Sequence, residues 1–434
     1  MSDVVATASK PGLASRLARA LTMDLTPLRA SRDYRLVYTG QFVSNFGSAI
    51  SYVVLPWQMY ALTKSTLAVG MLGAVEFAPM LLMAFIGGAL ADHFDRRRLV
   101  VSAELGLILC CLGLILNSLS GSPRPWILFL IAAMFAALNG IHRPSIESMT
   151  PQLVNADHLA AVSALSTLRY GFNFIVGPGL AGILVASLGP AVAYSIDLAT
   201  FLVSVATLLA IRSVPVSGEV DRASLRSIKE GLRYACSRQE LLGTYLIDLN
   251  AMFFGMPMAL FPAIAESFGS ASVGLLYAMP AVGVLVVTLS SGWTKHVRRH
   301  GRAITFAAAV WGAAIICFGF AGRLWAALFF LALAGAADAV SGLFRMTMWN
   351  ETIPDYLRGR LAGIEMISYM TGPYLGNAEA GLVAGAFGLR VSVVSGGAMC
   401  VVGSALLALL LPRFIRYDSR EGRKLKEQVE EMRE

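Results

Sequence analysis

Ionisable side chains interrupt several long apolar segments of this sequence. Asp248 lies about eight residues into one such segment, with no basic residue within one helical turn. Asp338 lies in a run of small residues, and Arg345 follows it two turns later. Glu147 follows Arg143 by four residues, which is the spacing of an ion pair along one helix. Because a charge in an apolar medium is costly unless it is paired or protonated, these acids are either proton carriers or members of structural pairs.

The proton-carrier interpretation is favoured for one of the three acids, and the structural-pair interpretation is favoured for the other two. Asp248 combines near-central depth with the absence of a local partner, so we expect it to be the main proton carrier. A structural pair with Arg345 is favoured for Asp338, and a structural or gating pair is favoured for Glu147. Both acids stay on the list of proton-coupling candidates behind Asp248.

Twelve apolar segments must position these acids. The chain has 434 residues, of which 56% are hydrophobic and 14% charged, so a soluble domain of this size is excluded. A helix needs about 20 mainly apolar residues to cross a bilayer. Segments of that kind lie at about 36–62, 68–91, 99–119, 126–149, 160–187, 190–211, 241–265, 271–293, 303–321, 325–352, 361–387 and 391–411.

The segments fall into two groups of six. We predict an N-terminal segment at 1–35, an N-terminal six-helix half at 36–212 and a C-terminal half at 241–411. The connection at 213–240 has apolar residues at helical spacing among basic ones, which predicts an amphipathic helix on the membrane surface. The charged tail at 412–434 carries an apolar stripe that predicts a short surface helix.

Basic residues are distributed unequally between the two sides of this arrangement. The net charge is +8, yet the loops facing away from the termini hold only Lys64, Arg124, Arg323 and Arg390. Because Lys and Arg accumulate in cytoplasmic loops, we expect a multi-pass protein of the cell membrane with both termini in the cytoplasm. Nucleic-acid binding is not expected, since it requires a basic face on a soluble fold.

A loop after the second segment carries a family signature. Gly88-Ala-Leu-Ala-Asp92 is followed by three consecutive arginines, and a similar basic loop begins at Gly292 in the second half. The first loop resembles the one between helices two and three of the major facilitator superfamily, although His93 and Asp95 depart from the usual Arg and Gly. Another element, Gly177 to Gly182, resembles the Gly-Pro element of the drug antiporters in that superfamily. The resemblance implies the following gating residues: Asp92, Arg96, Arg97, Arg98, Gly177 and Pro178.

Longer stretches place the resemblance within an export branch. Those at 87–100, 150–154, 260–265 and 343–363 are similar to the branch that contains the enterobactin exporter and actinobacterial multidrug pumps. The resemblance implies an all-α integral membrane protein with twelve transmembrane helices in two six-helix halves and a central cavity. In the family, Glu76, Glu365 and Glu379 belong to helices that line this cavity, whereas Glu104 and Asp197 belong to helices outside it and are expected to be structural.

The seventh segment is broken by prolines and rich in Met and Phe, which form an adaptable apolar wall. We therefore expect substrate contacts from this segment, together with a cation on the fifth. The substrate-binding candidates are Arg169, Asn250, Met252, Phe253 and Met256.

These features predict a secondary active exporter of lipophilic or cationic drug-like molecules, driven by proton antiport through alternating access. A siderophore exporter of the same family is the alternative, followed by a facilitator or importer and by a membrane-embedded enzyme. No phosphate-binding loop for ATP, no metal-ligand spacing and no nucleophile–base pair is found, so we expect no catalytic residue, no metal and no cofactor beyond the proton gradient. The expected partners are a small-molecule substrate and the lipid bilayer, and the chain is expected to act as a monomer.

Overall fold

Twelve long α-helices make up most of the computed structural model, which describes residues 24–212, 233–354, 357–420 and 422. No strand occurs within these ranges. The prediction of an all-α protein with six helices in each half is confirmed. In chain order the helices are α1 Arg32–Thr63, α2 Thr66–His93, α3 Arg96–Leu119, α4 Pro125–Met149, α5 Leu159–Ser187, α6 Pro190–Leu209, α7 Gln239–Phe254, α8 Ser272–Leu289, α9 His300–Gly319, α10 Leu324–Thr352, α11 Arg358–Phe387 and α12 Leu389–Leu410.

Ten of these helices, judged on their described residues, are long and apolar enough to cross a membrane. Helix α1 is not among the ten although it has 32 residues, so its length is not the limit. It carries polar residues, including Gln41, Ser51 and Gln58, that are buried within the protein. Side chains of this kind need not meet lipid, so a cavity-side helix tolerates them.

The same packing scheme occurs in both halves. In the first half α2 packs on α4, and α3 packs on both α4 and α6. In the second half α8 packs on α10, and α9 packs on both α10 and α12. The internal similarity of the sequence therefore corresponds to a duplicated six-helix unit.

The two halves meet along two helix pairs, α2 with α11 and α5 with α8. Glycines allow the backbones to approach closely at these contacts. A Cβ added to Gly182 would lie 2.8 Å from the backbone nitrogen of Gly274, and one added to Gly70 would lie 2.8 Å from the Cα of Gly381. All four glycines lie toward the side of the bundle opposite the chain termini, so the halves are closed together on that side.

Two predicted surface helices lie wholly or partly outside the described residues. Of the linker predicted at 213–240, residues 233–237 are helical and 213–232 are not described. The tail helix predicted beyond 422 is likewise not described. The described part of the tail forms a short helix, Pro412–Arg416, whose buried Phe414 packs against Gly243 of α7 and Gly301 of α9.

Candidate functional site

A cavity of about 450 Å³ lies between the two halves. Helices α1, α2, α4 and α5 line it from the first half, and α8, α11 and the segment just after α7 line it from the second. Most of its surface is apolar or aromatic. The aromatic rings belong to Tyr52, Phe135, Tyr170, Phe174, Tyr277 and Tyr374.

The rings of Tyr52, Phe174 and Tyr277 form one connected group across the cavity. The ring of Tyr52 meets that of Tyr277 edge-on at 5.7 Å and that of Phe174 at 6.4 Å. Tyr52 and Phe174 come from the first half and Tyr277 from the second, so the two halves share one aromatic surface. Flat rings of this kind give a large contact area for a planar, largely apolar molecule.

Charged groups are sparse on this surface. Among the described lining residues, Glu76 is the single carboxylate and Arg143 the single cation. Glu76 lines the same cavity as Tyr52 and Tyr277. The Arg143 side chain is 44% exposed and lies near the C-terminal end of α4. Its Nε lies 2.9 Å from a carboxylate oxygen of Glu147. The predicted pair along one helix is therefore present.

The seventh crossing is interrupted where it meets the cavity. Helix α7 ends before Pro257, and a 3₁₀ turn follows. Two cavity-lining side chains bind the backbone groups that this break sets free. The hydroxyl of Tyr277 donates to the carbonyl of Met258 at 2.9 Å, and Asn377 Oδ1 accepts from the Ala259 amide at 3.0 Å. Irregular backbone at membrane depth is tolerated where such partners exist.

Asp248 is paired, so the expectation that it lacks a partner is wrong. The guanidinium of Arg345, on α10, forms an ion pair with the Asp248 carboxylate. A second Arg345 nitrogen lies 3.8 Å from Asp338, which confirms the Asp338–Arg345 pair. The expectation for Asp248 rested on neighbours along its own helix, whereas the partner comes from another helix.

The five predicted substrate contacts do not line the cavity, because the faces that carry them point elsewhere. The Asn250 amide donates to the Cys400 carbonyl of α12 at 2.9 Å. Met252 packs against Gly372 of α11. Arg169 is buried beside α1, with its guanidinium 5.0 Å from the ring centre of Tyr170. The other two residues outside the lining are Phe253 and Met256.

The seventh crossing nevertheless reaches the cavity through Met258 and Ala259. These residues follow the break, where the helical phase of α7 no longer applies. The four residues predicted on this crossing all precede Pro257, whereas the two that reach the cavity follow it.

The arginines after α2 hold the first half together. Arg96 donates to the Ser148 carbonyl at 3.4 Å, and Arg97 donates to the carbonyls of Leu208 and Leu209 at 2.8 and 2.7 Å. These hydrogen bonds join the start of α3 to the ends of α4 and α6 within the first half. The Asp92 side chain lies outside the described residues.

The other gating candidates have a packing role or a local one. Asp95 caps α3 by accepting from the Arg98 amide at 3.3 Å. A Cβ on Gly177 would lie 2.7 Å from that of Ala49, and Pro178 lies against Gly274 of α8. The Gly-Pro element thus permits close contact of α5 with α1 and with the other half.

An ion pair that joins the halves was missed by the sequence analysis. Lys64, directly after α1, pairs with Glu266, directly after the seventh crossing, and the Tyr60 hydroxyl donates to Glu266 at 3.3 Å. The hydrogen bond from Lys64 lowers the pKa of the Glu266 carboxyl below its ordinary value and raises that of Lys64 above its own. No local pattern links residues that are 202 positions apart.

A cavity between two duplicated six-helix halves, closed on one side and lined by a broken helix, defines a membrane transporter that works by alternating access. The chain belongs to the transmembrane secretion effector family of the major facilitator superfamily, whose model matches residues 22–433. It is an exporter of that superfamily rather than an enzyme.

Relatives of known function share almost the whole length of the chain. The enterobactin exporter EntS of Citrobacter koseri is 26% identical over 391 residues, which cover 89% of this chain and 94% of the relative. The enterobactin exporter EntS of Shigella boydii is 26% identical over 395 residues, which cover 90% and 94%.

Solved structures show the same fold at low identity. A bacterial homolog of the human lysosomal transporter Spinster, in an inward-facing and unoccupied conformation, superposes with a TM-score of 0.70 at 16% identity, covering 90% of this chain and 98% of that one. The nucleoside transporter NupG superposes with a TM-score of 0.68 at 12% identity, covering 87% and 99%.

Proposed function

We propose that this chain exports a siderophore-like aromatic small molecule from the cytoplasm. Its full-length similarity to enterobactin exporters is the observation that carries this proposal. The aromatic surface shared by the two halves suits a molecule with planar rings. This replaces drug-like cargo as the leading interpretation. That cargo was expected from a Met and Phe wall, and the three wall residues among the substrate-binding candidates, Met252, Phe253 and Met256, lie outside the cavity lining.

Orientation follows from the distribution of basic residues, which puts both termini in the cytoplasm. In this orientation the closed contacts of α2 with α11 and of α5 with α8 lie on the outer side. The cavity then receives substrate from the cytoplasm, next to the exposed Arg143 and Glu147 side chains. The cavity is built from one chain, so a monomer suffices for transport.

Proton antiport supplies the driving force in this proposal, and Asp338 is the leading carrier. Arg345 balances one of two carboxylates, and its closer partner is Asp248. Asp338 lies farther from the guanidinium and its side chain is 35% exposed, whereas that of Asp248 is 9% exposed. A proton on Asp338 makes the group of three neutral, and its release restores one negative charge. Asp248 then serves as a fixed counter-ion, and Glu147 is the third candidate.

A lipophilic cation is the second candidate substrate, because Glu76 places a carboxylate among the aromatic rings. Carboxylate and ring faces together attract a cation. A neutral or anionic siderophore forms no ion pair with that carboxylate. The two candidates therefore differ in their dependence on Glu76.

Secretion from living cells tests the proposal. The host makes a catecholate siderophore but lacks its own exporter for it, and it carries either this chain or the Asp338→Asn variant at equal membrane abundance. We expect siderophore in the medium to rise at least about tenfold with the unaltered chain, and not with the variant. Protection against lipophilic cations without siderophore secretion would favour the second candidate instead.

A further inference from the structure

A buried polar cluster lies in the first half, away from the cavity. Glu104 of α3 is its centre. One carboxylate oxygen, Oε1, accepts from Gln41 Nε2 of α1 and from Ser204 Oγ of α6, each at 2.8 Å. His142 Nε2 of α4 lies 3.2 Å from the same oxygen. The cluster thus draws one residue from each of four helices.

Glu104 is deeply buried, so its protonation state depends on the groups that contact it. Glu104 and Ser204 are 0% exposed and Gln41 is 1% exposed. The second carboxylate oxygen, Oε2, has no hydrogen-bond partner among the described residues. An ionised carboxylate so far from water is costly when its partners are neutral donors. Glu104 therefore needs a proton of its own or a positive charge at His142.

Other charged groups near the cluster are already engaged elsewhere. Arg97, two turns before Glu104 on α3, donates to backbone carbonyls of α6. Arg143 of α4 points to Glu147. Asp197 of α6 lies two turns from Ser204, and the charged groups of α1 lie at its first turn. His142 is thus the ionisable group in contact with Glu104 among the described residues.

His142 is a member of the cluster that lies on a cavity-lining helix close to the lining residues. Its side chain is 12% exposed, while that of Glu104 is 0% exposed, so the ring is the more accessible member of the pair. The same helix lines the cavity with Asn139 and Arg143, which flank His142 in sequence. His142 therefore lies on a helix that contributes to the cavity lining.

We propose that Glu104 and His142 form a proton-binding site in the first half. The carboxylate of the pair takes up one proton and releases it through His142. Its place in the transport cycle rests on the proposed proton-driven export and adds a site to the acid group around Arg345. Proton binding by the pair itself requires no substrate.

Infrared difference spectroscopy of the full chain in liposomes tests this directly. Spectra at acidic and alkaline pH are subtracted, and the carbonyl band of protonated carboxylic acids is compared among variants. We expect Glu104→Gln to remove one component of that band. Asp197→Asn is the matched control, because Asp197 is also 0% exposed and has Ser51 and Cys111 as neutral partners. The Glu104 component should survive in this control.

A second variant excludes a purely structural role. His142→Gln keeps a side chain able to donate but removes the imidazole ring. Because the contact of the ring with the Glu104 carboxylate is lost, the Glu104 component of the band should change in frequency or intensity. An unmoved band in His142→Gln, or a Glu104→Gln spectrum that superposes on that of the unaltered protein, would overturn the proposal. Should Glu104→Gln fail to fold, the histidine variant alone decides.

Transport measurements separate this proposal from the proposed function. If the chain exports no siderophore while the infrared band behaves as expected, the proton site stands and the substrate assignment fails. If export is driven by a pH gradient and Glu104→Gln leaves that drive intact, the site binds protons without coupling them, and its role in the cycle is refuted.

Discussion

At the scale of single residues, one guanidinium is shared by two carboxylates. Arg345 pairs with Asp248 and lies 3.8 Å from Asp338. Removing one partner of a buried ion pair costs about 3–5 kcal/mol when the other charge is left alone. The two acids therefore differ in what their loss does, which gives the first prediction.

Asp338→Asn should abolish accumulation driven by a pH gradient and keep exchange of substrate down its own gradient. The amide mimics the protonated acid and leaves the Asp248–Arg345 pair in place. Asp248→Asn is the comparison, and it should lower the thermal stability of the purified protein because Arg345 loses its closer partner. Full gradient-driven accumulation by Asp338→Asn would remove Asp338 as the carrier.

Glu76→Gln separates the two candidate substrates. The amide keeps the size of the side chain and removes the charge from the cavity that Tyr52 and Tyr277 also line. We expect siderophore export to change less than about twofold and any export of lipophilic cations to fall at least about tenfold, which is the loss of one ion pair of about 1.4 kcal/mol or more. Efflux assays on both compound classes with the same variant check this. Equal losses for both would contradict it.

Sequence reasoning predicted two of the pairs at this scale, Asp338 with Arg345 and Glu147 with Arg143, but not the partner of Asp248. The depth of Asp248 and Asp338 in apolar segments is visible along the chain, because polarity is a local property. The pairing of Asp248 with Arg345 depends on how α7 and α10 pack, and no local spacing encodes it. The same holds for Glu104, whose donors come from α1, α4 and α6.

At the scale of elements, the broken seventh crossing is held by side chains from other helices. Asn377 of α11 accepts from the Ala259 amide, and Tyr277 of α8 donates to the Met258 carbonyl. Both side chains also line the cavity. A ligand that displaces either hydrogen bond changes the break itself.

Asn377→Leu should destabilise the break. It leaves the buried Ala259 amide without its acceptor, which costs about 1–3 kcal/mol. We expect a lower melting temperature and slower transport. Asn139→Leu is the matched control, because Asn139 also lines the cavity but donates only within its own helix, to Phe135. Equal effects of the two substitutions would show that cavity polarity, not the break, matters.

The element boundaries were largely predictable, because apolar length sets them. The predicted segment at 126–149 corresponds to α4, and that at 325–352 to α10. The seventh crossing was predicted as one span with two prolines, and the structure divides it at the first of them. Which side chains face the cavity was not predictable there, because the helical phase is lost at the break.

At the scale of the whole molecule, Lys64 and Glu266 join the halves on the side opposite the chain termini. Both side chains are more than half exposed, so the ion pair contributes little to stability. Its interest is that it connects the two six-helix halves.

Cross-linking tests whether this contact must open. In a chain whose five cysteines are replaced by Ala, Lys64→Cys with Glu266→Cys should lose transport on treatment with a cleavable cross-linker and regain it on cleavage. Lys64→Cys alone should be unaffected, and continued transport by the cross-linked protein would show that the contact stays closed through the cycle.

The charge of this contact is constant around neutral pH. The pKa of Glu266 is lowered, so the pair is lost only as pH falls through that lowered value. The pKa of Lys64 is raised, so the pair is lost only as pH rises through that raised value. Between about pH 5 and pH 9 the contact should not respond to external pH. Any pH dependence of transport in that window therefore comes from ionisable groups elsewhere in the protein.

Uptake by everted membrane vesicles tests the central claim, that this family member is a proton-driven exporter of a siderophore-like molecule, most directly. The vesicles carry the chain with its cytoplasmic side outward, and an acidic interior is generated by respiration. The account predicts accumulation of a catecholate siderophore that collapses when a protonophore is added and is absent with Asp338→Asn. Accumulation that persists without a proton gradient, or no siderophore uptake at normal abundance of the protein, would contradict it.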